Sequence, residues 1–267
     1  MSYGQQAGER LADKVVLLTG ASAGIGYATA KELAQVTSKV KLILTARRKE
    51  KLDQLAKVLT SEHSGIRIHV AELDVSNLDS FEPFLKGLPE EFADIDVLIN
   101  NAGLALGRES VGEIDRKDMI TMFQTNVFGT IELTQQVLPI MKKKNSGTIL
   151  NLGSIAGKDY YAQGSIYCQT KSSIHVFSDV LRKELISTRI RVMEVQPGNV
   201  RTEFSNVRYR GDAQKADDVY KGTEPLTADD VAELIVFNLT RRENTVIAES
   251  LIFANNQASS HHIYRKE

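Results

Sequence analysis

Lys14-Val-Val-Leu-Leu-Thr19-Gly20-Ala-Ser-Ala-Gly24-Ile-Gly26 is the stretch whose reading decides the fold. Its first half is a short apolar run that stops at a glycine, and a helix-like pattern follows over residues 27–36. Strand, glycine turn and helix, in that order, are the context that makes a glycine motif meaningful. The glycines let the backbone approach a pyrophosphate closely, and the helix start offers unpaired N–H groups and a positive dipole end. Gly20, Ser22, Ala23, Gly24, Ile25 and Gly26 are therefore candidate phosphate neighbours. The spacing is Gly-x-x-x-Gly-x-Gly rather than the commoner Gly-x-Gly-x-x-Gly, and an ordinary βα turn has a similar look.

The next apolar run, residues 40–46, ends in Arg47 and Arg48. Chains that bind NAD place an acid about 20 residues past the last glycine, against the ribose 2′-hydroxyl. Here two guanidiniums stand in its place, which would fork onto a 2′-phosphate and leave NAD with unpartnered positive charge. Two charge-assisted bonds at about 1.5–3 kcal/mol each favour NADP by roughly two to four powers of ten. The alternative is a solvated Arg-Arg-Lys opening of a helix over residues 49–59.

A third run, residues 66–74, alternates and then reaches Asp74-Val75. In an open parallel sheet the ligand lies off the carboxyl ends of the strands, so Asp74 is placed either for an adenine edge or as the cap of a helix near Leu78. Residues 95–99 run into Asn100-Asn101-Ala102-Gly103, small residues that permit close approach of a cofactor or simply make a turn. A single long helical pattern spans residues 116–144, with Asn126 in a mostly apolar stretch, where it bends the helix or orients a water. Residues 148–152 form a fifth strand that delivers Ser154 to the same crevice.

Tyr167 and Lys171 follow on a helix over residues 165–185. Residues four apart share a helix face, so phenol and ammonium project into one space. A free phenol ionises near about 10, and a neighbouring positive charge lowers that value, so the tyrosine is expected to exchange a proton with an alkoxide. Taken alone, Tyr-x-x-x-Lys is a common accident of helix surfaces. Residues 190–195 make a sixth strand followed by Pro197-Gly198-Asn199-Val200-Arg201-Thr202, with Thr202 and nearby N–H groups facing phosphate or carboxamide. Residues 203–224 read as an irregular polar lid carrying Arg208, Tyr209 and Arg210. A capped helix over 227–239, a short strand over 251–253 and a polar tail complete the chain, with His261 and His262 as surface residues.

The bounds agree with an enzyme. The 267 residues suffice for one domain, 1–267, and no repeat or linker divides it. Lysine plus arginine (33) nearly balance aspartate plus glutamate (34), which argues against nucleic acid as partner. Cys168 is the only cysteine, so no disulfide and no metal site are expected. No apolar run has membrane-spanning length and the first residues do not resemble a targeting peptide, so a cytoplasmic protein without a membrane partner is expected.

In this order, Thr19-Gly-Ala-Ser-Ala-Gly-Ile-Gly26, Asn100-Asn-Ala-Gly103, Asn126, Ser154, Tyr167 with Lys171, and Pro197-Gly-Asn-Val-Arg-Thr202 resemble the short-chain dehydrogenase/reductase family over essentially the whole chain. The resemblance implies an α/β fold, a Rossmann-like doubly wound parallel sheet of about seven strands. It implies a tetrad of Ser154, Tyr167, Lys171 and Asn126, with Lys171 also holding the nicotinamide ribose and Asn126 anchoring a relay water. Ser22, Arg47 and Arg48 fall where NADP-preferring members grip the 2′-phosphate, and Asp74, Val75, Asn101, Ala102, Gly103, Pro197, Gly198, Val200 and Thr202 fall on further cofactor contacts.

Within the family, residues 201–211, 219–221 and 226–231 are similar to the branch of NADP-dependent dehydrogenases that oxidise serine and related 3-hydroxy acids. Arg208 is then the candidate for the substrate carboxylate, or else Arg208 and Arg210 are both loop charges. The other activities considered are a broad carbonyl or diketone reductase, a reductase of carrier-linked 3-oxoacyl groups, and a dinucleotide sensor without chemistry. Family members associate through their two long helices, so a homotetramer is expected, with Ile174, Phe177, Leu181 and Leu185 either in the interface or packed on their own sheet.

Overall fold

Seven strands are hydrogen-bonded side by side in the computed structural model, which describes residues 5–266. They are β1 Val15–Thr19, β2 Lys41–Ala46, β3 Arg67–Glu72, β4 Val97–Asn100, β5 Gly147–Leu152, β6 Ile190–Pro197 and β7 Glu249–Ile252. The order is β3-β2-β1-β4-β5-β6-β7, and every neighbouring pair is parallel. A parallel pair needs a crossover connection, and helices on both faces supply it. The central strands therefore bury both faces and read as unbroken apolar runs; all five residues of β1 are buried.

Alternation along those strands divides the core in two. Val16, Leu18, Leu42 and Leu44 face the helices Gly24–Val36, Lys49–Glu62 and Ala228–Leu239, which contribute Leu33, Leu55 and Ile235. Val15, Leu17, Ile43 and Leu98 face the helices Gly129–Lys144 and Ser165–Glu184, which contribute Leu133, Val137 and Leu181. Truncating one such leucine to alanine costs about 2–5 kcal/mol, so the two layers fix the sheet firmly beneath whatever sits at its edge. Strand order reverses between β1 and β4, and a crevice opens there at the strands' carboxyl ends.

The structure corrects two expectations, settles one alternative and adds one feature. The 116–144 pattern is not one helix: Arg116–Phe123 passes through a π-helical turn, Gln124–Phe128, into Gly129–Lys144. Such a turn inserts a residue without breaking the apolar stripe, so periodicity does not register it. Residues 203–224 are not irregular, since they hold the short helices Phe204–Arg208 and Ala213–Asp218, the second capped by Asp212. The stripe Ile174, Phe177, Leu181 and Leu185 packs into the chain's own core, and the outward residues of that helix are Val176 and Val180. Finally, the polar tail is laced to the body: Lys266 N donates to Gly222 O at 2.7 Å, and Gln257 Oε1 accepts from Asn199 N at 2.8 Å. The capped helix is as read, with Thr227 and Asp230 forming a reciprocal box. Among the described residues, no helix is long and apolar enough to cross a membrane, and no three metal-ligating side chains cluster.

Candidate active site

The glycine turn after β1 is shaped by Asn101 as much as by any ligand. Asn101 Nδ2 donates to the Thr19 carbonyl at 2.7 Å and its backbone N–H donates to Thr19 Oγ1 at 3.0 Å. A Cβ on Gly20 would lie 2.8 Å from that amide nitrogen, and one on Gly26 would lie 2.5 Å from it. Those two glycines thus clear room for the asparagine that ties β4 to β1. Gly24 has a different reason, a backbone at φ +53° that begins the helix Gly24–Val36 beside Thr202. Ala23 precedes it with no side-chain cap, so the first N–H groups of that helix are directed at the crevice without an internal acceptor.

At the outer end, Arg48 Nη2 donates to Ser22 Oγ at 3.2 Å, and Arg47 stands exposed at the rim. Glu203, missed by sequence reading, places its carboxylate between Arg48 at 3.0 Å and Lys51 at 3.2 Å. Partial burial opposes its ionisation, yet the hydrogen bonds from Arg48 and Lys51 hold the carboxyl below its usual range. Asp74 does not cap the next helix; its Oδ1 accepts from Ser76 N and Ser76 Oγ at 2.9 and 2.8 Å, and the residue lines the crevice. Val75, Ala102, Gly103, Pro197, Gly198, Val200 and Thr202 line the same cavity, of about 370 Å³.

The inner end brings Ser154, Tyr167 and Lys171 together on one wall. Ser154 leaves β5 with extended backbone and caps a short 3-10 turn, accepting from Ala156 N at 3.1 Å. Lys171 is buried; its Nζ donates to the Leu152 carbonyl at 2.7 Å and lies 6.0 Å from the centre of the Tyr167 ring. Burial pulls the ammonium down to about 8, with the charge of Glu194 opposing. Glu194 itself is buried on β6 against His175 Nδ1 at 2.8 Å. The tyrosine departs from expectation. Burial pushes its phenol above the ordinary value, and Tyr161 adds to this, while a hydrogen bond with Ser154 and the charge of Arg208 pull the other way. The shift expected from Lys171 does not decide the phenol's ionisation; desolvation does, a quantity that helix spacing cannot report.

Asn126, Gly26 and Arg208 stand off the cavity wall. Asn126 Oδ1 accepts from Leu104 N at 2.8 Å while its Nδ2 donates to Leu104 O at 2.7 Å and Thr170 Oγ1 at 3.1 Å, so the π-helical turn clamps the loop after β4. Below it, Asn100, Asn151, Thr134 and Ser178 form a buried hydrogen-bonded ladder that stiffens the floor. Arg208 sets its guanidinium 5.7 Å from the Tyr167 ring and 5.4 Å from the Tyr161 ring, with Nη1 donating to Tyr161 Oη at 2.9 Å. Arg210 turns away onto Glu109 at 2.9 Å and onto Asp118. Phe204, also not foreseen, sets its ring 5.5 Å from that of Tyr167.

A cavity with an uncapped helix start at its middle, a Ser–Arg–Lys nest already holding an anion at one end and a Ser–Tyr–Lys group at the other suits an elongated, phosphorylated dinucleotide. Sequence comparison agrees: the family model described as short chain dehydrogenase matches residues 14–212, and the chain belongs to that family. Among its relatives, the NADP-dependent 3-hydroxy acid dehydrogenase of Schizosaccharomyces pombe is 55% identical over 97% of this chain and 99% of its own. The enzyme of the same description from Escherichia coli K12 is 43% identical over 83% and 87%. Among solved structures, the closed form of serine dehydrogenase complexed with NADP+ superimposes with a TM-score of 0.87 at 39% identity, covering 94% of this chain and 99% of that one.

Proposed function

We propose that this chain is an NADP-dependent dehydrogenase that oxidises the hydroxyl-bearing carbon of small 3-hydroxy acids and, in reverse, reduces the matching semialdehydes and ketones. The observation that carries the reading is Arg208, which stands behind the cavity wall with its guanidinium 5.7 Å from the ring of Tyr167, a residue that lines the cavity. A cation beside the proton-exchanging phenol suits a substrate with a carboxylate a short distance from its hydroxyl. The 3-hydroxy acid dehydrogenases and the serine dehydrogenase similar to this chain support the same choice.

The crevice residues would hold NADP, which would supply the hydride chemistry. The chain's own residues do the rest. Arg47, Arg48 and Ser22 hold the 2′-phosphate, and the first turn of the Gly24–Val36 helix receives the pyrophosphate. Lys171, fixed by the Leu152 carbonyl, would hold the nicotinamide ribose, and Gly103 and Asn101 would allow its close approach. Ser154 hydrogen-bonds the substrate oxygen beside Tyr167, whose hydroxyl exchanges the proton. Asn126 acts by clamping Leu104 and shaping the relay around Lys171. Residues 203–224 form the substrate loop, and domain, loop and site together occupy residues 1–267 as one unit.

Outward-facing Ile120 on Arg116–Phe123, Phe128 in the π-helical turn, and Val176 and Val180 on Ser165–Glu184 fit a homotetramer, and a sole, buried, free cysteine fits the cytoplasm. The direct test is oxidation of L-serine, 3-hydroxyisobutyrate and 3-hydroxypropionate with NADP+ and NAD+, followed by absorbance. The expected result is turnover with a strong NADP+ preference; faster turnover with NAD+, or on neutral alcohols only, refutes the reading.

A further inference from the structure

Two cations from the phosphate end of the crevice converge on an acid from the substrate end, and a serine holds one of the cations from behind. Glu203 Oε2 accepts from Arg48 at 3.0 Å, Glu203 Oε1 accepts from Lys51 at 3.2 Å, and the other terminal nitrogen of Arg48 is on Ser22. Ser22 and Arg48 follow β1 and β2, Lys51 sits on the helix Lys49–Glu62, and Glu203 is the N-cap of Phe204–Arg208. That short helix carries Phe204 against Tyr167 and Arg208 against Tyr161 and Tyr167. Glu203 lines both the main crevice and the shallower pocket formed with Tyr27, Lys51 and Gln54. The acid therefore closes the nest from outside and tethers the substrate-side helix to it.

Resting on the NADP reading of the crevice, we propose that Glu203 stands in for the cofactor's 2′-phosphate, pairing Arg48 and Lys51 until the phosphate displaces it and frees the Phe204–Arg208 helix. The proposal makes Lys51 a third phosphate ligand and Glu203 a determinant of cofactor choice. A phosphate monoester carries about −1.5 to −2 charge and three acceptor oxygens, more than one carboxylate offers. The pairs it must break are weak, because Arg48 and Glu203 are 43% and 50% exposed and such pairs contribute little in water. Once displaced, the carboxylate is repelled by the phosphate that replaced it. NAD carries no such group, so Glu203 keeps its partners and the helix stays tethered.

Calorimetric titration of the full-length wild type, E203Q and K51Q with NADP+, NAD+ and 2′,5′-ADP tests the binding half. Hydrogen exchange over residues 203–224 tests the release. E203Q is expected to tighten NADP+ and 2′,5′-ADP about three- to tenfold and to leave NAD+ within about twofold; K51Q is expected to weaken the phosphorylated ligands by a similar factor. Exchange at 204–208 should rise when 2′,5′-ADP, but not NAD+, is added to wild type, and should already be high in E203Q. E203Q that binds NADP+ no tighter than a wild type still preferring NADP+, or exchange indifferent to 2′,5′-ADP, overturns the role of Glu203 alone. A wild type that binds NAD+ as tightly as NADP+ removes the cofactor reading and this proposal with it.

Discussion

The ammonium of Lys171 and the phenol of Tyr167 share a wall of the crevice without pairing: Nζ lies 6.0 Å from the ring centre and spends a hydrogen bond on the Leu152 carbonyl. The lysine is thereby fixed in place, one turn below the tyrosine on the helix Ser165–Glu184. Its charge is also weakened, because burial draws its ionisation down to about 8. Tyr167 is held protonated by the same desolvation, so the ligand-free site rests with a neutral proton donor. Bringing the phenol into the working range then falls to whatever positive charge enters the crevice with the cofactor and to Arg208 across the ring.

Tyr167→Phe should therefore remove the proton exchange and little else. Turnover is expected to fall by about 10²–10⁴, the usual contribution of a positioned acid or base. The dissociation constant for NADP+, followed by fluorescence titration, should stay within about threefold. Turnover within tenfold of wild type would show that another group carries the proton.

The lowered Lys171 has a consequence for stability. Its value is about 8 in the folded chain and about 10.4 in an unfolded one, so between these pH values the unfolded state binds a proton that the folded state lacks. Stability contributed by this group accordingly rises with pH from about 8 to about 10, by up to about 3 kcal/mol. Beyond about pH 10 the raised phenol of Tyr167 acts in the opposite sense. Urea unfolding of the ligand-free protein across that window should show the rise in wild type and a flatter profile in Lys171→Met; parallel profiles would place the effect elsewhere.

The parts of this site that sequence made legible are those carried by period and spacing. Buried strands announce themselves as apolar runs, and Ser154, Tyr167 and Lys171 sit at positions where strand ends and one helical turn must bring them together. The roles of Asn101 and Gly26 are half visible: their positions in the sequence point to a ligand, while the structure shows them packed first on each other. Glu203 and Phe204 left no signal, because they reach the site from a polar loop whose two short helices have no amphipathic period, and Tyr161 left none because it lies in the irregular link between the turn Ile155–Gly157 and the helix Ser165–Glu184. The direction of the Tyr167 shift was likewise illegible. It depends on how much protein closes around the ring, which includes residues far away in sequence such as Arg208.

Arg208→Gln separates an acid-specific enzyme from a general carbonyl reductase. A hydrogen bond to a charged group contributes about 1.5–3 kcal/mol, so KM for a 3-hydroxy acid should rise by roughly ten- to a hundredfold. A neutral hydroxyketone should be affected by less than about threefold, and the KM for NADP+ should not move. Equal losses on both substrates would mean that Arg208 serves only to hold Tyr161, to which it donates at 2.9 Å.

Gly26→Ala tests whether the glycine turn is a packing device as well as a phosphate cradle. A Cβ there would meet the Gly20 carbonyl oxygen at 2.4 Å and Asn101 Nδ2 at 2.5 Å, both held by the β1–β4 junction. Neither neighbour can yield without breaking the bond from Asn101 to Thr19, so a loss of about 1–3 kcal/mol or more is expected even with no cofactor present. Gly24→Ala meets only Thr202, at 3.3 Å, but must adopt φ +53°, for which a cost of about 1–2 kcal/mol is expected. Chemical denaturation of the ligand-free variants should rank Gly26→Ala as the more damaging. If both variants unfold like wild type and lose only cofactor affinity, then the turn is built around the ligand, and the tie through Asn101 is secondary.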